Sequence, residues 1–588
     1  MPGRKPYLVN KAFNQYLLAS ILTVAATQVA NIVDAVIVGH LVGARGLAAV
    51  NLSKPLLQAF FAVTCLYVAS STILAGMAIG KGDRAKADKF FSFSMGVSLL
   101  LGLSFTGFGA IFFGRISSLL CQSDTLRPLS DAFMRVTLFS AVPQLLMLTL
   151  NQFVTVDGGP KIVSRAVIVS NAANILLDIV FIKYLSLGIA GAAFATGVMY
   201  VVCILMVLPH FRKKESLRLC RTRLRDVEAG RIFSIGLPLF LATALLSVQY
   251  IGNNYVASRF LGDNGLISLA VCIQLLAFSM IILNGTLRAI QPVGSILKGL
   301  DDSTGLLMLM KRGYAFMAVC LAFFTAILVL FPSQIGSLLG VSEGAGLDMV
   351  RKAVPLFSLN IIGQAMLCNL LPAFQFYERK GLALLLSIAQ TLLPMLFFLL
   401  LRGNWIGFFA GQAATALAIW VWESALRRKD PSLSRFLLIP LKEQTEVLDM
   451  TLQTTSQSLS EAIAALRSFL SSKGVGSHAG NLAAVSTEEF LNNIIRHGHA
   501  TSIDLAANVR DAVIRISIHD DGMAFNPVAA VKDPASKTGL GLTLANAFCS
   551  KIDYRYIFNQ NMVSLEIRPS GDAPASSPIS SDGFSRQS

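Results

Sequence analysis

The sequence predicts a polytopic α-helical membrane protein of twelve spans arranged as two six-helix lobes, followed by a small soluble α+β domain. Three observations predict it. The chain is 54% hydrophobic and only 14% charged, where a soluble protein averages about 25% charged residues. Apolar runs long enough to cross a bilayer recur before residue 427. Beyond about residue 446 the composition turns ordinary and soluble, with strand-like alternation and helix-like periodicity mixed.

The candidate spans lie near 13–39, 47–76, 91–114, 133–154, 161–183, 188–209, 231–258, 266–297, 313–331, 352–376, 381–401 and 405–426. The first run, Phe13 to Val38, is too long for the apolar core of a secretory signal and is followed by further spans, so it reads as an uncleaved helix. The net charge is +16, yet Lys and Arg punctuate the apolar runs instead of forming a stripe. That distribution sets membrane topology and gives no reason to expect a nucleic-acid partner. With both termini in the cytoplasm, Lys81 to Lys89, FRKKESLRLCRTRLR, Lys311–Arg312, ERK and LRRK all fall inside, the asymmetry insertion favours. A bacterial plasma membrane is the expected location. The eight cysteines are scattered singly, with no C-x-x-C pair and no His at ligand spacing, so neither a disulfide framework nor a zinc site is expected.

The chain repeats itself weakly. GMAIGKGDRAKADKF follows the second span and PVGSILKGLDDSTGLLMLMKR the eighth, while VDAVIVGHLVGARGLAAVNL finds an echo in IGNNYVASRFLGDNGLISLAV. Two sets of six spans joined by a basic linker suggest two lobes facing each other across a cavity, a transporter architecture. The expected organisation is an N-lobe with linker over 1–230, a C-lobe over 231–426, a linker over 427–445, the soluble domain over 446–570 and a disordered polar tail over 571–588.

Within the first lobe, Asp34 sits in the first span, and Asn174 and Asp178 lie four apart on the fifth. A carboxylate inside the bilayer costs on the order of 2.5–3.5 kcal/mol on the insertion scale, so it needs a partner, a cation or a proton. Asn174 and Asp178 share one helical face. With Asp34 and Thr196 they make an oxygen-rich cluster suited to Na+ or a shuttled proton. The alternative is that both acids face water near helix ends and that Thr196 only bonds back to its own helix. The second half carries no acid between Glu228 and Asp263, so an ion site belongs to the first half. Tyr250, Gln274, Gln291 and Gln364 either line a substrate path or join helices as polar glue.

VDAVIVGHLVGARGLAAVNLSKP, GKGDRAKA, VDGGPKIVSRAVIVSNAANILLDIV and LGIAGAAFATGV resemble the multidrug and toxic compound extrusion (MATE) family, of the larger group that includes lipid-linked oligosaccharide flippases. The likeness covers roughly residues 10 to 426. It implies Na+- or H+-coupled export of a small organic cation or amphipathic compound by alternating access, with Asp34, Asn174, Asp178 and Thr196 as the N-lobe cation or proton site.

The soluble part reads strand (LDMTLQTT), helix (about 456–471), a second helix holding STEEFLNNIIRHGHA, a hairpin (ATSIDLAANV and DAVIRISIHDDG), a glycine turn opening a helix (TGLGLTLANAFCSKI) and a closing hairpin (DYRYIFNQNMVSLEI). Such an order gives a sheet covered on one face. Glu489, Asn493 and His497 fall on one helical face. The series E-x-x-x-N-x-x-x-H, DDGMAFNP and TGLGL resembles the Bergerat-type ATPases, most closely the anti-sigma-factor serine kinases. The resemblance implies an ATP and Mg2+ site. Glu489 would be the general base and Asn493 the Mg2+ ligand, with His497 supporting them. Asp520 and Gly522 would recognise adenine, and Gly539, Leu540 and Gly541 would present backbone amides to phosphate, where a Cβ would hold the backbone away. Ala524 stands where that family often has a second glycine. A cytoplasmic antagonist-like protein is the partner such a kinase would act on.

Three functions follow: an ion-coupled exporter regulated by its ATP domain, a membrane sensor whose kinase domain switches a cytoplasmic partner, or, from the family resemblance, a lipid-linked oligosaccharide flippase. No G-x-x-x-x-G-K-[ST] occurs, which speaks against an ABC-type pump.

Overall fold

In the computed structural model the chain divides into two compact units, residues 12–441 and residues 442–588 together with 1–11. The structure describes residues 4–42, 44–120, 127–212, 216–338, 344–440, 447–510, 513–527, 543 and 547–568.

The larger unit is helical. Its elements are α1 (Tyr7–Leu41, whose first residues belong to the other unit), α2 (Ala44–Gly80), α3 (Arg84–Ile111), α4 (Phe113–Leu120), α5 (Arg127–Phe139), α6 (Ala141–Val156), α7 (Pro160–Ile179), α8 (Gly188–Val207), α9 (Ala229–Gly299), α10 (Ser303–Leu330), α11 (Pro332–Leu338), α12 (Ala345–Cys368), α13 (Leu370–Phe376), α14 (Lys380–Leu400) and α15 (Ile406–Lys429). Among the described residues nine helices are long and apolar enough to cross a membrane, ten if α5 and α6, bent by 51°, form one span. The expected seventh and eighth spans are the two arms of α9, Ala229–Gly262 and Asn264–Gly299. The break between them is Gly262, whose φ of 64° and ψ of −157° a side chain would disfavour. Helices α1 and α15 occupy the two remaining expected positions.

The repeat seen faintly in the sequence is plain in the backbone. Asp83 (φ −92°, ψ 75°) caps α3 by accepting from the Lys86 amide, and Asp302 (φ −88°, ψ 79°) caps α10 by accepting from the Gly305 amide. Each follows a residue with positive φ, Gly82 and Asp301. The left-handed residues Gly158 and Glu378, before α7 and α14, repeat at the same offset of about 220 residues. These aspartates fix where the next helix starts because a cap satisfies an amide that the helix leaves free. Helices α2 and α9 pack through small residues: a Cβ on Gly80 would overlap Gly299, one on Gly76 would strike Ser295, and one on Gly236 would strike the Leu66 carbonyl.

The smaller unit is a two-layer α+β fold. Strands β1 (Val447–Leu452), β2 (Ile503–Arg510), β3 (Val513–Asp520), β4 (Lys551–Ile557) and β5 (Gln560–Ile567) form an antiparallel sheet in the order β1-β2-β3-β5-β4. Helices α16 (Ser456–Ser472) and α17 (Ser477–His497) supply the other layer. Alternation decides which face is covered: Leu448, Met450 and Leu452, then Ile514, Ile516 and Ile518, then Val563, Leu565 and Ile567 are all buried in one core. Leu466, Phe469 and Leu470 of α16 and Phe490 and Leu491 of α17 fill it from the helix layer. Thr455 starts α16 by accepting from the Ser458 amide.

Candidate functional site

In the helical unit, three of the four expected ion-site residues meet. Asp34 on α1 and Asp178 on α7 lie near enough for their side chains to interact electrostatically, and Asn174 Nδ2 donates to Asp178 Oδ2 at 3.4 Å. Asp178 is fully buried and Asn174 nearly so. Each aspartate keeps one buried oxygen without a hydrogen-bond partner. Two carboxylates this close repel unless a proton or a cation sits between them. Thr196 behaves differently: its hydroxyl donates to the Ala192 carbonyl of its own helix at 3.0 Å. Among the described residues it makes no hydrogen bond to the other three.

Tyr250, Gln274, Gln291 and Gln364 are all exposed or half-exposed. The sequence reading passed over Arg288, an exposed cation in the second arm of α9. It lies in the electrostatic neighbourhood of the buried Cys65 on α2, and among the described residues it makes no ion pair. A lone Arg inside an otherwise apolar run was the available signal.

In the sheet domain, Asp520 ends β3 and is 1% exposed. Its Oδ1 accepts from the Gly522 amide and from Asn561 Nδ2, each at 2.9 Å. Its Oδ2 is buried with no partner. Burial pushes the carboxyl above the usual aspartate range, against the lowering effect of those two donors. A buried acceptor left open suits an amino donor such as that of adenine. Gly522 must be glycine, since a Cβ would overlap the Gly498 carbonyl.

Asn561, which the sequence did not mark, organises this corner. Its Nδ2 also donates to the Met523 carbonyl at 2.9 Å, while its Oδ1 accepts from the Tyr554 hydroxyl at 2.8 Å and the Phe525 amide at 3.2 Å. Asp521 was likewise missed. It accepts from the Thr501 amide (2.7 Å), the Ser502 amide (3.1 Å), the Thr501 hydroxyl (2.6 Å) and Lys11 Nζ (2.7 Å).

Glu489 and Asn493 are half-exposed on one face of α17, without hydrogen bonds among the described residues, and His497 is exposed in its last turn. They are available to a ligand. An ATP- and Mg2+-binding group fits this donor set: an open buried acceptor for the base and a neutral amide oxygen for the metal. Gly539, Leu540 and Gly541 lie outside the described residues.

Comparison with known proteins agrees with both halves. The MatE family matches residues 19–180, and the histidine kinase-like ATPase domain matches residues 452–567. The chain is similar to the multidrug export protein MepA of Staphylococcus haemolyticus strain JCSC1435, with 26% identity over 48% of this chain and 63% of that protein. It is also similar to MepA of Staphylococcus aureus strain MRSA252, at 23% identity over 48% and 64%. The match thus spans less than two thirds of these relatives' length. Among solved structures, a multidrug resistance MATE family transporter in its outward-facing conformation aligns with a TM-score of 0.65 and 21% identity, over 74% of this chain and all of that one. A MOP superfamily transporter from Pyrococcus furiosus aligns with a TM-score of 0.63 and 22% identity, over 73% and 99%. These two likenesses concern the fold.

Proposed function

We propose that this chain, a MATE family transporter fused to a histidine kinase-like ATPase domain, exports small amphipathic organic compounds by Na+ or H+ exchange and is regulated through ATP bound by its C-terminal domain. The close pair of Asp34 and Asp178 carries the transport half of the reading. It holds unused oxygen atoms where a bilayer-embedded charge is costly, and Asn174 adds a neutral polar group beside it. Entry of a cation or proton cancels one of the pair's two charges and relieves their repulsion, and its departure restores the repulsion. The site's electrostatics therefore change with occupancy, which is what coupling to alternating access requires. The Thr196 hydroxyl donates to Ala192, which leaves its oxygen lone pairs open to a cation.

The open Oδ2 of Asp520 carries the nucleotide half. Asn493 would hold Mg2+, and bound Mg·ATP would add phosphates for transfer or hydrolysis. Glu489, four residues earlier on the same face of α17, would take a proton from water or from a substrate hydroxyl. The charge asymmetry of the loops favours cytoplasmic termini, which puts this domain where ATP is. Vesicles loaded with a fluorescent organic dye test the reading. A Na+ or H+ gradient should drive dye movement, and Mg·ATP on the cytoplasmic face should change its rate. No gradient-driven movement of any dye would overturn the transport half, and no binding of Mg·ATP the regulatory half.

A further inference from the structure

The first residues of the chain belong to the ATPase-domain unit, not to the helical one. Arg4 is inserted between two acids, with Nε 3.0 Å from Asp504 Oδ2 and the guanidinium 3.8 Å from Asp449 Oδ1. The Arg4 and Asp504 side chains are each only 4% exposed. The Lys5 amide donates to Thr451 Oγ1 at 2.7 Å, and Thr451 donates in turn to Asp504 at 2.6 Å. Gln560 Nε2 donates to the Leu8 carbonyl at 2.8 Å, and Leu8 and Val9 are buried. Lys11 Nζ pairs with Asp521 at 2.7 Å, while the Tyr7 hydroxyl donates to Asp521 Oδ2 at 3.4 Å. Contacts on β1, β2, β5 and the Asp520–Gly522 turn make this segment a part of the domain. They also exceed what a loose tail would form.

We infer that the segment Arg4–Lys11 is a nucleotide-responsive latch, through which ligand binding at Asp520 is passed to the start of α1. The inference rests on the proposed ATP site. Asp520 and Asp521 are neighbours on one turn, and they divide its work. Asp520 offers its free oxygen inward, while Asp521 holds Lys11 and the lead-in to β2. Burial alone would raise the Asp521 carboxyl, but Lys11, the Thr501 hydroxyl and two backbone amides outweigh it and hold it down at about 2. Asp521 is therefore charged at neutral pH and keeps its grip on Lys11. A base hydrogen-bonded to Asp520 fixes the turn, and a fixed turn holds Lys11 in place. Helix α1 begins at Tyr7 within this segment and is the helix that carries Asp34. The latch thus connects the domain to the first span by covalent continuity, without requiring a separate signalling partner.

Hydrogen exchange on the full chain in lipid nanodiscs, with and without the non-hydrolysable probe Mg·AMP-PNP, tests it. Nucleotide should slow exchange in peptides covering 513–527 and, by at least about threefold, in those covering 4–12. Lys11→Ala should keep the first effect and lose the second, and Lys11→Arg should restore it. Lys11 is 40% exposed, so the substitution leaves the fold intact. If 513–527 is slowed while 4–12 is unchanged or faster, the latch is overturned and the ATP site stands. If neither responds, the ATP site fails and the latch with it.

Discussion

Asn561→Ala tests the proposed nucleotide site most sharply, because that side chain is 5% exposed and serves four partners. Removing it costs those partners unequally. Met523 is 60% exposed and can turn its carbonyl to water, and Asp520 Oδ1 keeps the Gly522 amide. The unreplaced loss is the charge-assisted bond to a buried carboxylate, about 1.5–3 kcal/mol, together with one of the backbone or hydroxyl partners at about 1 kcal/mol. We expect a local cost of about 3 kcal/mol at the turn, roughly a hundredfold faster amide exchange over residues 520–525 in the full-length protein. Mg·ATP affinity should fall about tenfold or more, because the acceptor for the base is no longer held in one place. Calorimetric titration of the same preparation measures the second quantity. Wild-type exchange over 520–525 together with wild-type affinity would refute the argument that Asn561 positions Asp520.

Three further outcomes are expected. Asp34→Asn and Asp178→Asn should each abolish gradient-driven dye export with insertion and folding unchanged, checked by transport in vesicles beside an equal-expression control; undiminished export in both would remove them from the ion site. Glu489→Gln should keep nucleotide affinity and slow hydrolysis or phosphotransfer by about 10²–10⁴-fold, whereas Asn493→Ala should lose the Mg2+ dependence of binding, both measured by titration and turnover. Mg·ATP affinity should weaken as pH is lowered from neutrality, beginning above the usual aspartate range, because Asp520's raised carboxyl protonates early and a protonated oxygen is a poorer acceptor. The stability sign is opposite. Ionising a carboxyl whose folded value is raised costs stability as pH rises through that value, so Asp520→Asn should stabilise the domain near neutrality while flattening the affinity profile.

The ATPase domain was legible almost element by element, because strand alternation and helix periodicity are local properties. Leu448, Met450 and Leu452 announce a covered face of β1 without knowledge of any neighbour. Asn561 could not be read in the same way. It is one amide at the start of β5, just after a hairpin turn at Phe558–Asn559, and only the pairing of β5 with β3, which places it opposite Asp520, gives it work. The Arg4 contacts were hidden for a similar reason: nearly five hundred residues separate that side chain from Asp504. The spans were legible from apolar length, but the near-continuity of α9 was not, since Leu261 to Asn264 resembles an ordinary turn and the break falls on one glycine.

The repeat also explains why the proposed ion site has no twin. Aligning GARGL before the second span with GDNGL before the eighth puts Asn253 in the place of Asp34. Asn253 is 6% exposed and keeps a buried Oδ1 without a hydrogen-bond partner, much as Asp34 does. The two lobes thus retain the same inward polar position, but only one retains a charge that a proton or cation can cancel. A neutral amide has the same energy before and after a proton passes, so it cannot report occupancy. The substitution Asn253→Asp would add a carboxylate with no second acid opposite it. The position matching Asp178 at the repeat offset of about 220 residues is Phe398, which packs in the apolar cluster of the second lobe. On the proposed reading, ion coupling would belong to the first lobe by virtue of two helices, α1 and α7, and not by virtue of the fold that both lobes share.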